Sequence, residues 1–264
     1  MNKLFILLIT LLILSCEKEK ISSYNPALGN WIIYPETIET AFPSLGLGGE
    51  VAFDTSSLMI DGIGVFEPTY QDHKTYLNSD YLSTKSPNIL ELSVDNLPDG
   101  AYKMVYRTCE IDFTQIEALT LSIHAEILNP KQVIEDDEMS VVVRLCSDTS
   151  IFYDYFEIER PVLITPDSSS QLSEQWPDEN YINKKITDLE SLAFRRNELM
   201  DNYLIMENRL YIETDNNLKI RQKILGNPDL SNISTICIGI KNPGDHLSTG
   251  SNDGLDKSIK VWIY

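Results

Sequence analysis

Apolar and polar residues alternate with period two in separate stretches of the chain. Between 119 and 127, Leu119, Leu121, Ile123, Ala125 and Ile127 face one way, and Thr120, Ser122, His124 and Glu126 face the other. That pattern predicts a half-buried strand in an antiparallel sheet with one wet face. Residues 139–146 repeat it, with Val141, Val143 and Leu145 on one face. Strands at 89–94 and 101–106 flank Asp95-Asn96-Leu97-Pro98-Asp99-Gly100, a turn-rich connection that predicts a hairpin. Further strands are predicted at 49–53, 63–66, 151–158, 209–213, 218–224, 233–240 and 258–264. In the 151–158 strand Tyr153 and Tyr155 share one face, and Phe152 and Phe156 the other.

One segment follows a different period. Leu189, Leu192, Ala193, Arg196 and Leu199 recur at helical spacing behind Thr187-Asp188-Leu189-Glu190. There the Thr oxygen and the Glu side chain can cap each other's amides, so a helix is predicted over 188–200. Many short strands, one short helix and no βαβ alternation predict a mainly β fold, an antiparallel β-sandwich of jelly-roll type. It forms a single domain over residues 41–264.

The N-terminus has a different grammar. Lys3 precedes a run from Leu4 to Leu14 whose only polar member is Thr10, then Ser15-Cys16, then Glu17-Lys18-Glu19-Lys20. The run is too short to span a bilayer and its flanks suit an export signal. Ile13-Leu14-Ser15-Cys16 resembles the lipobox of bacterial lipoproteins, in which the chain is cut before a Cys that receives the lipid. The resemblance implies a signal peptide over 1–15, lipidation at Cys16, and a membrane anchor that does not cross the bilayer. Residues 16–40, rich in Ser, Asn, Pro and Gly, make the lipidated N-terminus and a tether.

Charge narrows the partners. The chain has 264 residues, with 21 bases, 40 acids and a net charge of −19. Cleavage would remove only Lys3 among the charged groups, leaving 20 bases against 40 acids, or −20. Such a surface repels phosphate, so nucleic acid is excluded as a partner. An electrostatically matched protein partner would carry a basic face.

Reaction chemistry is sparse. No Gly-x-Ser-x-Gly elbow, His-Glu-x-x-His pair or phosphate loop occurs, so no enzyme activity, catalytic residue, metal site or cofactor is expected. Cys109, Cys146 and Cys237 form no metal-ligand spacing and allow at most one disulfide. Cys237, in an apolar run, reads as a buried inert thiol. His124 reads as a surface histidine, and the acids from Glu135 to Glu138 as a solvated loop. Tyr153 and Tyr155 are candidates for stacking on sugars.

Several segments, in order, resemble the very large outer-membrane translocon of the bacterial type IX secretion system, the SprA/Sov family, which also serves gliding motility. They include Leu90-Glu-Leu-Ser-Val-Asp-Asn-Leu-Pro-Asp-Gly-Ala-Tyr102, Leu119-Thr-Leu-Ser-Ile-His-Ala-Glu126, Val142-Val-Arg-Leu-Cys-Ser-Asp148 and Tyr153-Asp-Tyr-Phe-Glu-Ile158. Trp176-Pro-Asp-Glu-Asn180, Arg195-Arg-Asn197, residues 226–243 and residues 253–262 continue the likeness, which covers about 85–264. Family members are far longer, so the resemblance implies only a soluble inserted segment, and no pore-lining position carries over. A stand-alone lipoprotein and a truncated relative both fit. The expected function is that of a non-enzymatic outer-membrane lipoprotein, facing periplasm or cell surface, that contacts envelope proteins of the type IX or gliding machinery. The alternative is a surface lipoprotein with a carbohydrate-binding jelly roll.

Overall fold

A computed structural model describes residues 21, 23–24, 32–33, 52–53, 58–64, 89–147, 154–165, 174, 176–202, 210–215, 219–243 and 254–263. Its strands are β1 (Ile32–Ile33), β2 (Ala52–Phe53), β3 (Leu58–Gly64), β4 (Ile89–Leu97), β5 (Ala101–Ile111), β6 (Ala118–Leu121) and β7 (Ile123–Ile127). They continue with β8 (Met139–Cys146), β9 (Tyr155–Val162) and β10 (Ile182–Lys185), then helix α1 (Ile186–Asp201). β11 (Tyr211–Asp215), β12 (Ile220–Leu225), β13 (Ile233–Lys241) and β14 (Lys257–Ile263) complete the order.

Two sheets carry the fold. The larger runs β1-β5-β13-β8-β9-β12-β11, and β2 adds a short parallel pairing on β5. The smaller runs β3-β4-β14-β7, and β6 pairs separately with β10. The chain crosses between sheets from β4 to β5, from β7 to β8 and from β13 to β14. After β9 it crosses again: the Thr165 amide donates to Ala125 O at 2.8 Å, alongside β7. These interleaved crossings give the jelly-roll order within a mainly β, antiparallel sandwich.

The facing sides share one core. β4 supplies Leu90, Leu92 and Val94, and β14 supplies Ile259, Val261 and Ile263. Against them pack Val141, Val143 and Leu145 of β8 and Ile236, Ile238 and Ile240 of β13. Each side chain of this kind stabilises the fold by roughly 1.5–3 kcal/mol on full burial, which is why the alternation predicts the strands well.

Four local readings change. The 95–100 connection is not a hairpin, because β4 pairs with β3 and β14 while β5 pairs with β13. Its turn, closed by the Ala101 amide on Pro98 O at 3.0 Å with Gly100 at φ 77°, carries the chain from one sheet to the other. The predicted 119–127 strand breaks at Ser122, and its two halves join different sheets.

Helix α1 starts two residues early, at Ile186. Strand β10 runs straight into it, and the Ile186 amide donates to Glu117 O at 2.9 Å. Lys185 therefore takes the cap position without a side-chain hydrogen bond, and Thr187 lies inside the first turn. The predicted stripe is nevertheless the packed one: Leu189, Leu192 and Arg196 are buried.

Fourth, part of the expected tether is attached to the domain. Ile21 and Tyr24 form parallel bridges with Ile116 and Leu119, and Ile32 and Ile33 pair with Tyr106 and Val105.

The turn after β12 has a steric requirement. Gly226 sits at φ 66°, and a Cβ there would meet Asp154 Oδ1 at 2.1 Å. That same oxygen accepts from the Asn227 amide at 2.6 Å. Gly226→Ala is expected to cost about 1–2 kcal/mol from the left-handed backbone alone, read as a lower urea midpoint with unchanged m-value.

Candidate functional site

The outward side of the larger sheet carries charge where an outer sheet face would ordinarily meet water. Register places Arg144 of β8 beside Glu157 of β9, and Glu157 and Glu159 beside Lys223 and Arg221 of β12. Arg144 Nε donates to Glu157 Oε2 at 3.0 Å, and Lys223 reaches both Glu157 and Glu159. Lys241 of β13 donates to Glu159 Oε2 at 2.6 Å, and Arg221 Nη1 to Glu159 Oε1 at 2.8 Å. Glu159 is 0% exposed. The ladder thus sets four cations around two carboxylates, all buried or nearly so.

Neighbouring charge outweighs burial at its acids. Burial alone would raise Glu157, but Lys223 and then Arg144 bring it down to about 2. Glu159 is likewise raised by burial and pulled further below the ordinary carboxylate range by Lys223, Lys241 and Arg221. Burial and the adjacent Lys223 ammonium lower Lys241 to about 8.

Tyr155 belongs to this layer. It is 7% exposed, and the Arg144 guanidinium carbon lies 4.0 Å from its ring centroid. Burial raises its hydroxyl pKa, opposed by Arg144. The ring face under the guanidinium is not open for stacking. Tyr153 lies outside the described residues, as does Cys16. Phe156 points into the core, as the alternation predicts.

His124 is not a surface residue. It is 1% exposed, with its ring 4.9 Å from that of Trp262 and 5.7 Å from that of Trp176. Nε2 lies 2.7 Å from Glu126 Oε1, and Nδ1 lies 2.7 Å from Thr165 Oγ1. Thr165 Oγ1 also accepts from the Ala125 amide at 3.0 Å. The cluster resembles a hydroxyl–imidazole–carboxylate relay in composition only. Its hydroxyl is buried and occupied by the backbone of β7, so it closes the sandwich edge rather than attacking a substrate.

Of the acids from Glu135 to Glu138, Glu135 and Asp136 are exposed, as a solvated loop requires, but Glu138 is built into the fold. Lys257 donates to Glu138 Oε1 at 2.5 Å, and both are buried. Glu138 Oε2 accepts from the Glu135 amide at 2.8 Å, and Asp136 Oδ1 accepts from the Ile164 amide at 3.2 Å. Lys219 pairs with Asp137. Among the described residues no group of three or more His, Cys, Asp or Glu could hold a metal ion. Cys109, Cys146 and Cys237 are free thiols, and Cys237 is fully buried.

Sequence reasoning missed the ladder, although a signal exists. Glu157-x-Glu159 and Arg221-x-Lys223 have strand spacing and opposite sign, as a cross-strand ion ladder requires. Nothing in the pattern says that the face is covered.

No curated protein matches the chain. A family model described as motility related/secretion protein matches residues 78–264. That span contains both sheets' core strands from β4 to β14, the charge ladder and the His124 cluster. Its limits agree with the stretch in which the SprA likeness is seen. By a match over most of its length, the chain belongs to the SprA family of motility-related and secretion proteins.

Proposed function

We propose that this protein is an envelope lipoprotein, anchored through Cys16 in the outer membrane, whose jelly roll acts by protein–protein contact in type IX secretion or gliding. The match to a motility and secretion family over residues 78–264 carries the reading. The leader ending in Ser15-Cys16 supports the anchor. The described polar clusters are hydrogen-bonded within the fold, as in a scaffold that recognises its partner by surface shape and charge. With a net charge of −19, that partner should carry a basic face. Tyr155, one of the two tyrosines on which the carbohydrate-binding alternative rests, lies under Arg144.

Deleting the gene in its own host should reduce type IX export and colony spreading. The wild-type gene should restore both, and Cys16→Ala should restore neither while moving the protein out of the membrane fraction. Unchanged export and spreading in the deletion strain would sink the secretion and gliding role. Full membrane retention of Cys16→Ala would sink the anchor.

A further inference from the structure

The N-terminal attachment has a direction, and with the Cys16 anchor it orients the domain. Ile21 N donates to Gln115 O at 2.7 Å and Glu117 N donates to Ile21 O at 2.7 Å. Tyr24 N donates to Ala118 O at 2.8 Å and Thr120 N to Tyr24 O at 3.0 Å. The Tyr24 ring meets Phe113 edge-on at 5.3 Å, and its hydroxyl accepts from Arg107 Nη2. Six contacts thus fix Ile21 and Tyr24 to one place, and the pairing is parallel. From Ile21 to Tyr24 the chain runs from the side of Phe113 and Gln115 toward Leu119.

That side is one end of the sandwich. β5 starts at Ala101 and finishes at Ile111, and eleven residues of strand span about 34 Å. At its finish lies the turn Phe113–Gln115, tied to the other side of the fold by the Phe113 amide on Leu230 O at 2.8 Å. At its start lie residues 96–101, 128–132 and 254–258, joined by Asn242 Nδ2 donating to Leu97 O and Leu255 O and by the Ser258 amide donating to Gln132 Oε1. Val133, 75% exposed, belongs to this second end.

Four residues, and so five Cα–Cα steps, separate Cys16 from Ile21. A chain of that length reaches at most about 18 Å, roughly half the length of the sandwich. We infer that the end carrying Phe113, Gln115 and Glu117 is held against the lipid surface, and that the end carrying Val133 points away from it. The inference rests on the Cys16 anchor and adds the orientation that the anchor alone does not specify. Glu110, Asp112, Glu117 and Asp229 are exposed at the inner end. They would be repelled by anionic headgroups, so the leash holds this end there, and adsorption does not. A partner would therefore meet the membrane-distal end first.

The test uses the full lipidated chain in phosphatidylethanolamine/phosphatidylglycerol vesicles that carry a headgroup quencher. A fluorophore is placed on Glu117→Cys or on Val133→Cys, each in a Cys109→Ser background. The label at 117 should be quenched severalfold more than the label at 133. A long Gly-Ser insertion between Cys16 and Ile21 should erase the difference. Vesicle-bound protein with equal quenching at both sites, or with the order reversed, overturns the orientation alone. Protein left in the supernatant, with no lipid mass on the Cys16 peptide, overturns the anchor and the orientation with it.

Discussion

Glu159→Gln is expected to lower unfolding stability by about 3–5 kcal/mol, the usual cost of removing one partner from a buried ionic cluster. Glu159 is 0% exposed and accepts from Arg221, Lys223 and Lys241. Lys223 would retain Glu157 at 2.5 Å, whereas Lys241 would lose the one carboxylate it bonds. The near-isosteric amide removes the charge with little change of volume, so cavity formation does not confuse the result. Urea denaturation reads the effect as a lower midpoint. Adding Lys241→Met to Glu159→Gln should recover part of the loss, because the stranded ammonium is then gone. The exposed Arg195–Glu213 pair gives the contrast, and Arg195→Ala should cost no more than about 1 kcal/mol. A Glu159→Gln midpoint within error of wild type would show that the ladder carries no stability.

The same ladder sets the acid limit. Glu157 and Glu159 are both depressed below the ordinary value of 4.5, Glu157 to about 2. A carboxylate whose pKa is lower when folded binds fewer protons in the native state than in the unfolded one. Its stabilisation is complete above about pH 5 and drains away as the pH falls through the folded values. The urea midpoint should therefore fall between about pH 5 and pH 2, and Glu159→Gln should flatten that slope.

Where the sequence was readable, it was so for a mechanical reason. Val141, Val143 and Leu145, or Ile236, Ile238 and Ile240, lie on the shared core, and burial of one face imposes period two. The failures come from long-range partners. Pro98-Asp99-Gly100 has the turn chemistry of a hairpin and equally of a crossing between sheets. The difference lies in β13 and β14, which take the ladders that β4 and β5 would otherwise share.

His124 reads as a surface residue because its neighbours Ser122 and Glu126 are polar, yet Trp176 and Trp262 fold over it from distant segments. The charge ladder was hidden for a related reason. Glu157, Glu159, Lys223 and Lys241 look solvated in sequence, and only register shows that they neutralise each other. Strand β10 was missed because Ile182-Asn183-Lys184-Lys185 offers just one apolar residue, and its pairing with β6 creates it.

Gly239→Ala is expected to be strongly destabilising for a steric reason. Gly239 lies in β13, paired with Met104 of β5 on one side and Val142 of β8 on the other. A Cβ there would lie 2.1 Å from Lys103 O and 2.6 Å from Met104 Cγ. Met104 is flexible and can yield, but the carbonyl is part of the β5 backbone, fixed by the pairing of β5 with β13. Relief therefore requires the two central strands to move apart, lengthening ladder hydrogen bonds above and below. Ordinary overpacking costs about 1–3 kcal/mol; a backbone clash between paired strands should reach about 3 kcal/mol or more. The urea midpoint should drop accordingly, and amide exchange should quicken first at Lys103, Val105 and Ile238, beside the substituted position. Val142→Ala, on the adjoining strand and the same face, separates steric intrusion from loss of packing: it removes volume and leaves the backbone alone. If Gly239→Ala proved no worse than Val142→Ala, β5 and β13 would have to be farther apart at this point than the close approach at Gly239 requires.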